Sequence, residues 1–120
     1  MTQLELARII DLLKAENLTS QLDLAIDIRT VHASDLISEV LASCGRGALL
    51  LTSLLDSQIV NTAELFDLSC VIFVGSRRPS HDIIAAAIED AIPVLVTRLS
   101  MFEACGLLYE NGLKSANRHE

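Results

Sequence analysis

The chain has 120 residues, a length that suits one domain with a substantial hydrophobic core. Its formal net charge of −7 argues against a nucleic-acid-binding protein, because phosphate contacts need clustered lysine and arginine. Hydrophobic residues make up 51% of the chain and aromatic residues only 3%, so the core should be aliphatic. No apolar run approaches the roughly 18 residues of a membrane span, so we expect no membrane partner.

The cysteines and the first residues predict a cytoplasmic protein. Three cysteines at irregular spacing do not fit a disulfide framework, and the start, Met-Thr-Gln-Leu-Glu, lacks the pattern of a signal peptide. We therefore expect reduced thiols. Cys44, Cys70 and Cys105 fall in apolar stretches and are predicted to be buried. No paired cysteine or histidine spacing indicates a metal, and we expect no other cofactor.

The N-terminal third is predicted to contain a helix and then an edge strand. Thr2 and Glu5 have the spacing of a capping box, and apolar residues follow at helical spacing over residues 6–13. Residues 22–28 alternate between apolar and polar side chains, which is the period of a strand with one face in solvent. Residues 29–33 are interpreted as a connector.

Three apolar runs dominate the rest of the chain, and a polar turn and a helical pattern follow each of them. They cover residues 48–52, 70–74 and 93–97 and begin about 22 residues apart, the length of one strand and helix. Continuous runs of valine, leucine and isoleucine are typical of strands buried on both faces. These runs therefore predict neighbouring strands of a parallel sheet.

Capping residues mark the helices around these strands. Ser34 and Ser80 each precede a helical pattern, and Ser100 with Glu103 forms a second capping box. From residue 114 onward the chain is polar and without a pattern. We therefore predict a single domain over residues 1–113 and a flexible tail over 114–120.

Alternating helices and buried strands predict the α/β fold class. Right-handed crossovers between parallel strands place helices on both faces of the sheet. The expected architecture is a three-layer α/β/α sandwich with a largely parallel sheet. Its core should include Leu50, Val71, Phe73, Val94 and Val96.

Three segments resemble the DRTGG domain family. Residues 34–41 read Ser-Asp-Leu-Ile-Ser-Glu-Val-Leu, similar to the family's SDLLSDVL stretch. Residues 75–79 read Gly-Ser-Arg-Arg-Pro, where the family carries a glycine-rich or GREP-like turn. Residues 93–103 resemble its IPLLSTPLSTFE segment. The similarity covers roughly residues 26–112, and the family's Thr-Gly-Gly is replaced here by Val-Gly-Ser at 74–76.

The resemblance implies a fold and a broad role. DRTGG domains occur as small stand-alone proteins and in larger proteins, and they resemble the N-terminal domain of HPr kinase/phosphorylase. The implied fold is the three-layer α/β/α sandwich of that domain. The implied role is regulatory or ligand-sensing, without catalysis, and the motifs that carry the resemblance contain no catalytic residue.

The polar turns after the three predicted strands form the candidate binding site. Ligands of parallel α/β sheets bind outside the carboxyl ends of the strands, where helix N-termini favour anions. The candidate ligand-binding residues are Thr52, Ser53, Gly75, Ser76, Arg77, Arg78, Thr97, Arg98 and Ser100. The functional interpretation is a site for a small anionic or phosphorylated metabolite. The alternative is ordinary capping hydroxyls, with arginines that are solvated or paired to Asp82 and Glu103.

Two other functions remain open at this point. His32 lies close to Ser34 and Asp35 in sequence, so a small enzyme is conceivable, although a catalytic triad needs spatial geometry that adjacency does not give. The enzyme hypothesis requires His32 to lie at the same sheet edge as Arg77 and Ser100. The other alternative is a structural subunit that docks onto a larger metabolic enzyme or another partner protein. The aliphatic composition also predicts a homodimer.

Overall fold

A six-stranded sheet forms the centre of the structure, a computed structural model that describes residues 2–116. In chain order the strands are β1 (Leu4–Glu5), β2 (Glu16–Asn17), β3 (Asp27–Ile28), β4 (Thr30–Ala33), β5 (Leu49–Thr52), β6 (Cys70–Phe73), β7 (Val94–Val96) and β8 (Lys114–Ser115). The main sheet has the order β2-β7-β6-β5-β4-β8. Its neighbouring strands are parallel except β2, which pairs antiparallel with β7. β1 and β3 form a separate antiparallel pair.

Helices cover both faces of the sheet. They are α1 (Leu6–Leu13), α2 (Ile37–Ser43), α3 (Gln58–Leu65), α4 (His81–Glu89) and α5 (Met101–Glu110). One apolar cluster joins one sheet face to α2, α3 and α4, and a second cluster joins the other face to α1 and α5. The predicted three-layer α/β/α sandwich is therefore confirmed. Within residues 2–116, no helix is long and apolar enough to cross a membrane.

The central strands supply both apolar clusters, because successive side chains of a strand point to opposite faces. Leu50, Val71, Phe73, Val94 and Val96 face α2–α4, and each is at most 6% exposed. The neighbouring residues Leu49, Leu51, Cys70, Ile72 and Leu95 face α1 and α5. The five core residues predicted from the sequence are thus confirmed, and so is the interpretation of strands buried on both faces.

The cysteines differ in their burial. Cys70 is fully buried in β6, as predicted, whereas Cys44 and Cys105 are only partly buried. Partial burial raises the pKa of the Cys44 thiol to about 11 and also raises the pKa of Cys105.

Strand β4 corrects the interpretation of residues 29–33 as a connector. Thr30–Ala33 lies between β5 and β8, and His32 within it is only 3% exposed. The predicted strand over residues 22–28 is wrong except at Asp27–Ile28. The backbone N–H of Ala25 donates to the Asp23 carboxylate, a local turn that interrupts the extended backbone despite the alternating pattern.

Both ends of the described chain also differ from expectation. Thr2 does not cap α1, because Leu4 and Glu5 form β1 and pair with Ile28 and Asp27. The predicted tail is wrong at its start, since Lys114–Ser115 forms β8 and pairs in parallel with β4. This pairing depends on β4, which the sequence pattern did not reveal. Residues 117–120 of the predicted tail lie outside the described residues.

Two of the predicted helix caps are present. The Ser80 hydroxyl accepts a hydrogen bond from the backbone N–H of Ile83, and Ser100 with Glu103 forms the predicted capping box. Ser34 does not cap α2, which begins at Ile37. Its hydroxyl accepts from the Leu36 N–H instead and closes a turn before the helix.

Candidate functional site

The predicted site residues lie together at one edge of the sheet. Thr52, Phe73 and Val96 end the neighbouring strands β5, β6 and β7 in register. The turns that follow, residues 52–54, 75–78 and 97–100, therefore lie side by side. We call this edge the rim. The topology confirms that the candidate residues share one edge, which is where an open α/β sheet binds ligands.

Two of the rim turns are joined by backbone hydrogen bonds. The N–H of Gly75 donates to the Leu99 carbonyl at 2.7 Å, and the N–H of Ser76 donates to the Thr97 carbonyl at 2.9 Å. Both donors have left-handed backbones, with φ of 67° at Gly75 and 60° at Ser76. The chain itself uses these N–H groups. They fix the turn after β6 against the turn after β7. Arg77 and Arg98 therefore lie on two adjacent turns.

The two rim threonines are buried and hydrogen-bonded within the protein. The Thr97 hydroxyl donates to the Leu13 carbonyl at 2.7 Å and accepts from the Leu99 N–H at 3.2 Å. Thr97 is 2% exposed and Thr52 is fully buried. These hydroxyls hold the turns in place and are engaged within the protein.

Asp35 is a rim residue that the sequence argument did not include in the site. Its carboxylate accepts from the Thr52 hydroxyl at 3.0 Å and from the backbone N–H and hydroxyl of Ser53 at 2.6 and 2.7 Å. Partial burial raises the pKa of Asp35. These hydrogen bonds and the nearby Arg77 together lower it by more, so the pKa lies below its ordinary value. Recognising β4 would have placed Asp35 here, because it follows the end of that strand.

Arg78 pairs with a residue that the sequence argument did not consider. Its guanidinium makes two hydrogen bonds to the Glu16 carboxylate, at 2.7 and 3.1 Å. This partner differs from the predicted Asp82 and Glu103. The hydrogen bond from Arg78 lowers the pKa of Glu16. The pair joins the turn after β6 to β2, so Arg78 is engaged within the protein.

Ser100 has the alternative role that the sequence allowed. Its hydroxyl accepts from the Glu103 N–H at 3.1 Å, and the Glu103 carboxylate accepts from the Ser100 N–H at 3.0 Å. The exposed side chains that keep free polar groups at the rim are Ser76, Arg77 and Arg98. Within residues 2–116, neither Arg77 nor Arg98 makes an ion pair or a side-chain hydrogen bond.

His32 does not join the rim. It lies within β4, faces α2, and places Nε2 3.2 Å from Oε1 of Glu39. The two atoms are close but not aligned for a hydrogen bond, so this buried nitrogen has no hydrogen-bond partner in the described chain. Asp35 bonds to Thr52 and Ser53, so it does not orient the histidine. The position that the enzyme hypothesis required of His32 is therefore not observed.

No group of three or more histidine, cysteine, aspartate or glutamate side chains within residues 2–116 is arranged to hold a metal ion.

A groove between α5 and the sheet was not predicted from the sequence. It has a volume of about 460 Å³ and is mainly apolar. It lies between α5 and the last two strands of the sheet, β4 and β8, and its lining includes Val31, Ala33, Phe102, Cys105, Gly106 and Tyr109. We call it the α5 groove. The signal in the sequence is a second apolar stripe on α5, besides the stripe that is buried in the core.

The comparisons with known proteins support the fold. No family model and no curated protein matches this chain. A similar solved structure contains the CBS and DRTGG domains of the regulatory region of Clostridium perfringens pyrophosphatase, complexed with the activator diadenosine tetraphosphate. The TM-score is 0.69 at 20% identity, over 89% of this chain and 46% of that one, so our chain spans about half of its length. The chain thus has a DRTGG-like α/β fold, as the resemblance predicted.

Proposed function

We propose that this protein is a non-catalytic regulatory module that senses a small anionic or phosphorylated metabolite at the rim. Ser76, Arg77 and Arg98 would make the contacts. The observation that carries the proposal is the position of Arg77 and Arg98. They directly follow Ser76 and Thr97, whose backbone hydrogen bond joins the two turns. Neither arginine forms an ion pair in the described chain.

The chemistry of the rim favours a phosphate or carboxylate over a cation or a neutral ligand. Guanidinium groups donate two parallel hydrogen bonds to such anions, and the N-terminus of the ten-residue helix α5 adds a favourable dipole beside Arg98. Neither arginine forms an ion pair within residues 2–116, so a bound anion could pair with either guanidinium.

The structural neighbour supports a regulatory role. It is the regulatory region of an enzyme and was solved with an activator that carries four phosphates. By analogy, we propose that ligand binding here regulates a partner rather than a reaction within this chain.

The proposal includes the cellular setting of the protein. We propose a cytoplasmic homodimer that binds neither nucleic acid nor membrane. The net charge of −7 supports the absence of nucleic-acid binding, because phosphate backbones repel an acidic chain.

A second candidate function is a structural subunit that docks onto a larger enzyme. The observation that favours it is the α5 groove with its exposed Phe102 and Tyr109, since exposed apolar surface commonly marks an interface. A catalytic role for His32 has less support, because the side chain is buried against α2 and away from the rim.

A thermal-shift series tests the sensing function directly. The probes are diadenosine tetraphosphate, ATP and pyrophosphate, with adenosine as the matched ligand that lacks phosphate. We expect at least one phosphate-bearing probe to raise the melting temperature, since a ligand at a hundredfold excess over its Kd stabilises the folded state by about 2.7 kcal/mol. Adenosine should have no effect. A shift of equal size with adenosine, or none with any phosphate compound at about 1 mM, contradicts the proposal.

A further inference from the structure

We propose that two copies of this chain associate through α5, packed antiparallel about a twofold axis, so that each copy covers the α5 groove of the other. The proposal names an interface and its register. It does not depend on the anion site, which lies at the rim.

Gly106 is the first observation that points to a close partner. Glycine destabilises a helix interior relative to alanine, and Gly106 lies in the middle of α5. A Cβ atom added there would meet nothing within 4 Å, so the packing of this chain does not require a glycine. A glycine that its own chain does not need is explained if another backbone approaches α5 closely at this position.

The second observation is the apolar stripe around this glycine. Phe102, Cys105, Gly106 and Tyr109 are spaced at i, i+3, i+4 and i+7 and share one side of the helix. This side differs from the buried one, which carries Ala104 and Leu108. Phe102 is 86% exposed and Tyr109 is 75% exposed, an unusual exposure for two aromatic side chains on one helix face.

The spacing of this stripe is self-complementary. In an antiparallel helix pair with its twofold axis between Cys105 and Gly106, Phe102 lies opposite the partner's Tyr109, and Tyr109 lies opposite the partner's Phe102. The two small residues meet at the centre, where they allow the helices to approach closely. Aromatic pairs then form at both ends of the contact. A twofold arrangement makes every contact twice and closes the assembly at two subunits.

The sheet also has room for a helix at this place. Leu51 in β5 is fully buried, whereas Ala33, its register partner in β4, is exposed on the same face. The helices on that face are α1 and α5, and the α5 groove lies beyond them over β4 and β8. The partner's α5, lying beside our α5, would cover this part of the sheet.

The charges suit a second copy as the occupant. Each copy carries a net charge of −7, so a second copy is an acidic partner, and the uncharged stripe keeps acidic side chains out of the centre of the contact. None of Phe102, Cys105, Gly106 and Tyr109 carries a charge at neutral pH. Lys114 at the end of the groove attracts an acidic partner. Antiparallel helices also place opposite ends of their dipoles side by side.

Sedimentation of the full chain at tens of micromolar tests the interface. We expect the wild type to be a dimer and Gly106→Gln to be a monomer that is folded by circular dichroism. Tyr109→Lys should also be monomeric. The matched control is Leu65→Lys, because Leu65 is likewise 75% exposed but lies on α3, on the opposite face of the sheet. It should remain a dimer.

A charge exchange tests the register. Phe102→Glu and Tyr109→Lys should each abolish the dimer, and their combination should restore it, because each new carboxylate would face a new ammonium group of the partner. Within one chain the two positions are two helical turns apart and do not pair.

Three results would overturn the proposal. The first is a wild type that stays monomeric at these concentrations, which would leave the groove to a different partner. The second is a dimer that persists in folded Gly106→Gln and Tyr109→Lys, or that Leu65→Lys disrupts equally. The third is a double variant that associates no better than its two parents, which would exclude the antiparallel register.

Discussion

Truncating Phe73 to alanine should lower the free energy of unfolding by about 3–5 kcal/mol. Phe73 is fully buried, with an exposed fraction of 0%, and it is one of the largest buried side chains. It lies in β6, between β5 and β7, and belongs to the cluster under α2, α3 and α4. The change removes buried apolar surface and leaves a cavity that flanking strands cannot fill without breaking their hydrogen bonds.

Urea denaturation of the two proteins measures this loss. Leu65→Ala is the control, because Leu65 is 75% exposed and its truncation should change the midpoint little. A Phe73→Ala protein that unfolds at the wild-type midpoint would show that β6 is not the buried strand described here.

Replacing Thr97 with valine should cost roughly 2–3 kcal/mol of unfolding free energy. Valine keeps the shape but removes the hydroxyl that donates to the Leu13 carbonyl and accepts from the Leu99 N–H. The Leu13 carbonyl lies at the end of α1 beneath the rim, so its acceptor would lose its partner in a buried place. The result would show that this hydroxyl holds the rim turn to α1.

Thr30→Val is the matched control for this prediction. Thr30 also lies in the main sheet, but its hydroxyl makes no hydrogen bond within residues 2–116. Its substitution should leave the denaturation midpoint nearly unchanged. If Thr97→Val were as stable as Thr30→Val, the two hydrogen bonds of the Thr97 hydroxyl would contribute nothing to stability, and the prediction would be wrong.

The architecture could be predicted where the sequence pattern has one structural solution. The runs around Leu50, Val71 and Val94 are continuous and apolar, and only strands covered on both faces bury such runs fully. Their regular spacing indicates helical crossovers, and right-handed crossovers then determine the layers. The location of the rim follows from the same argument.

The remaining parts depend on contacts between distant segments. β4 is short and contains polar residues, and its burial comes from pairing with Leu49–Thr52 and with Lys114–Ser115. The Glu16–Arg78 pair and the Thr97–Leu13 hydrogen bond join residues far apart in sequence. No local pattern predicts such partners, so the sequence could locate the candidate site without showing which of its polar groups are engaged.

Titration of the phosphate-bearing probe that gives the largest thermal shift into wild type and an Arg77→Ala/Arg98→Ala variant tests the sensing site most directly. Arg78 is left intact because Glu16 engages it. The control, Arg8→Ala/Arg46→Ala, removes the same charge from exposed positions elsewhere on the protein. We predict that the rim variant, folded by circular dichroism, binds at least about tenfold more weakly, because one charged hydrogen bond contributes about 1.5–3 kcal/mol. The control should bind like the wild type. Unchanged affinity in the folded rim variant, or an equal loss in the control, would contradict an anion site at the rim.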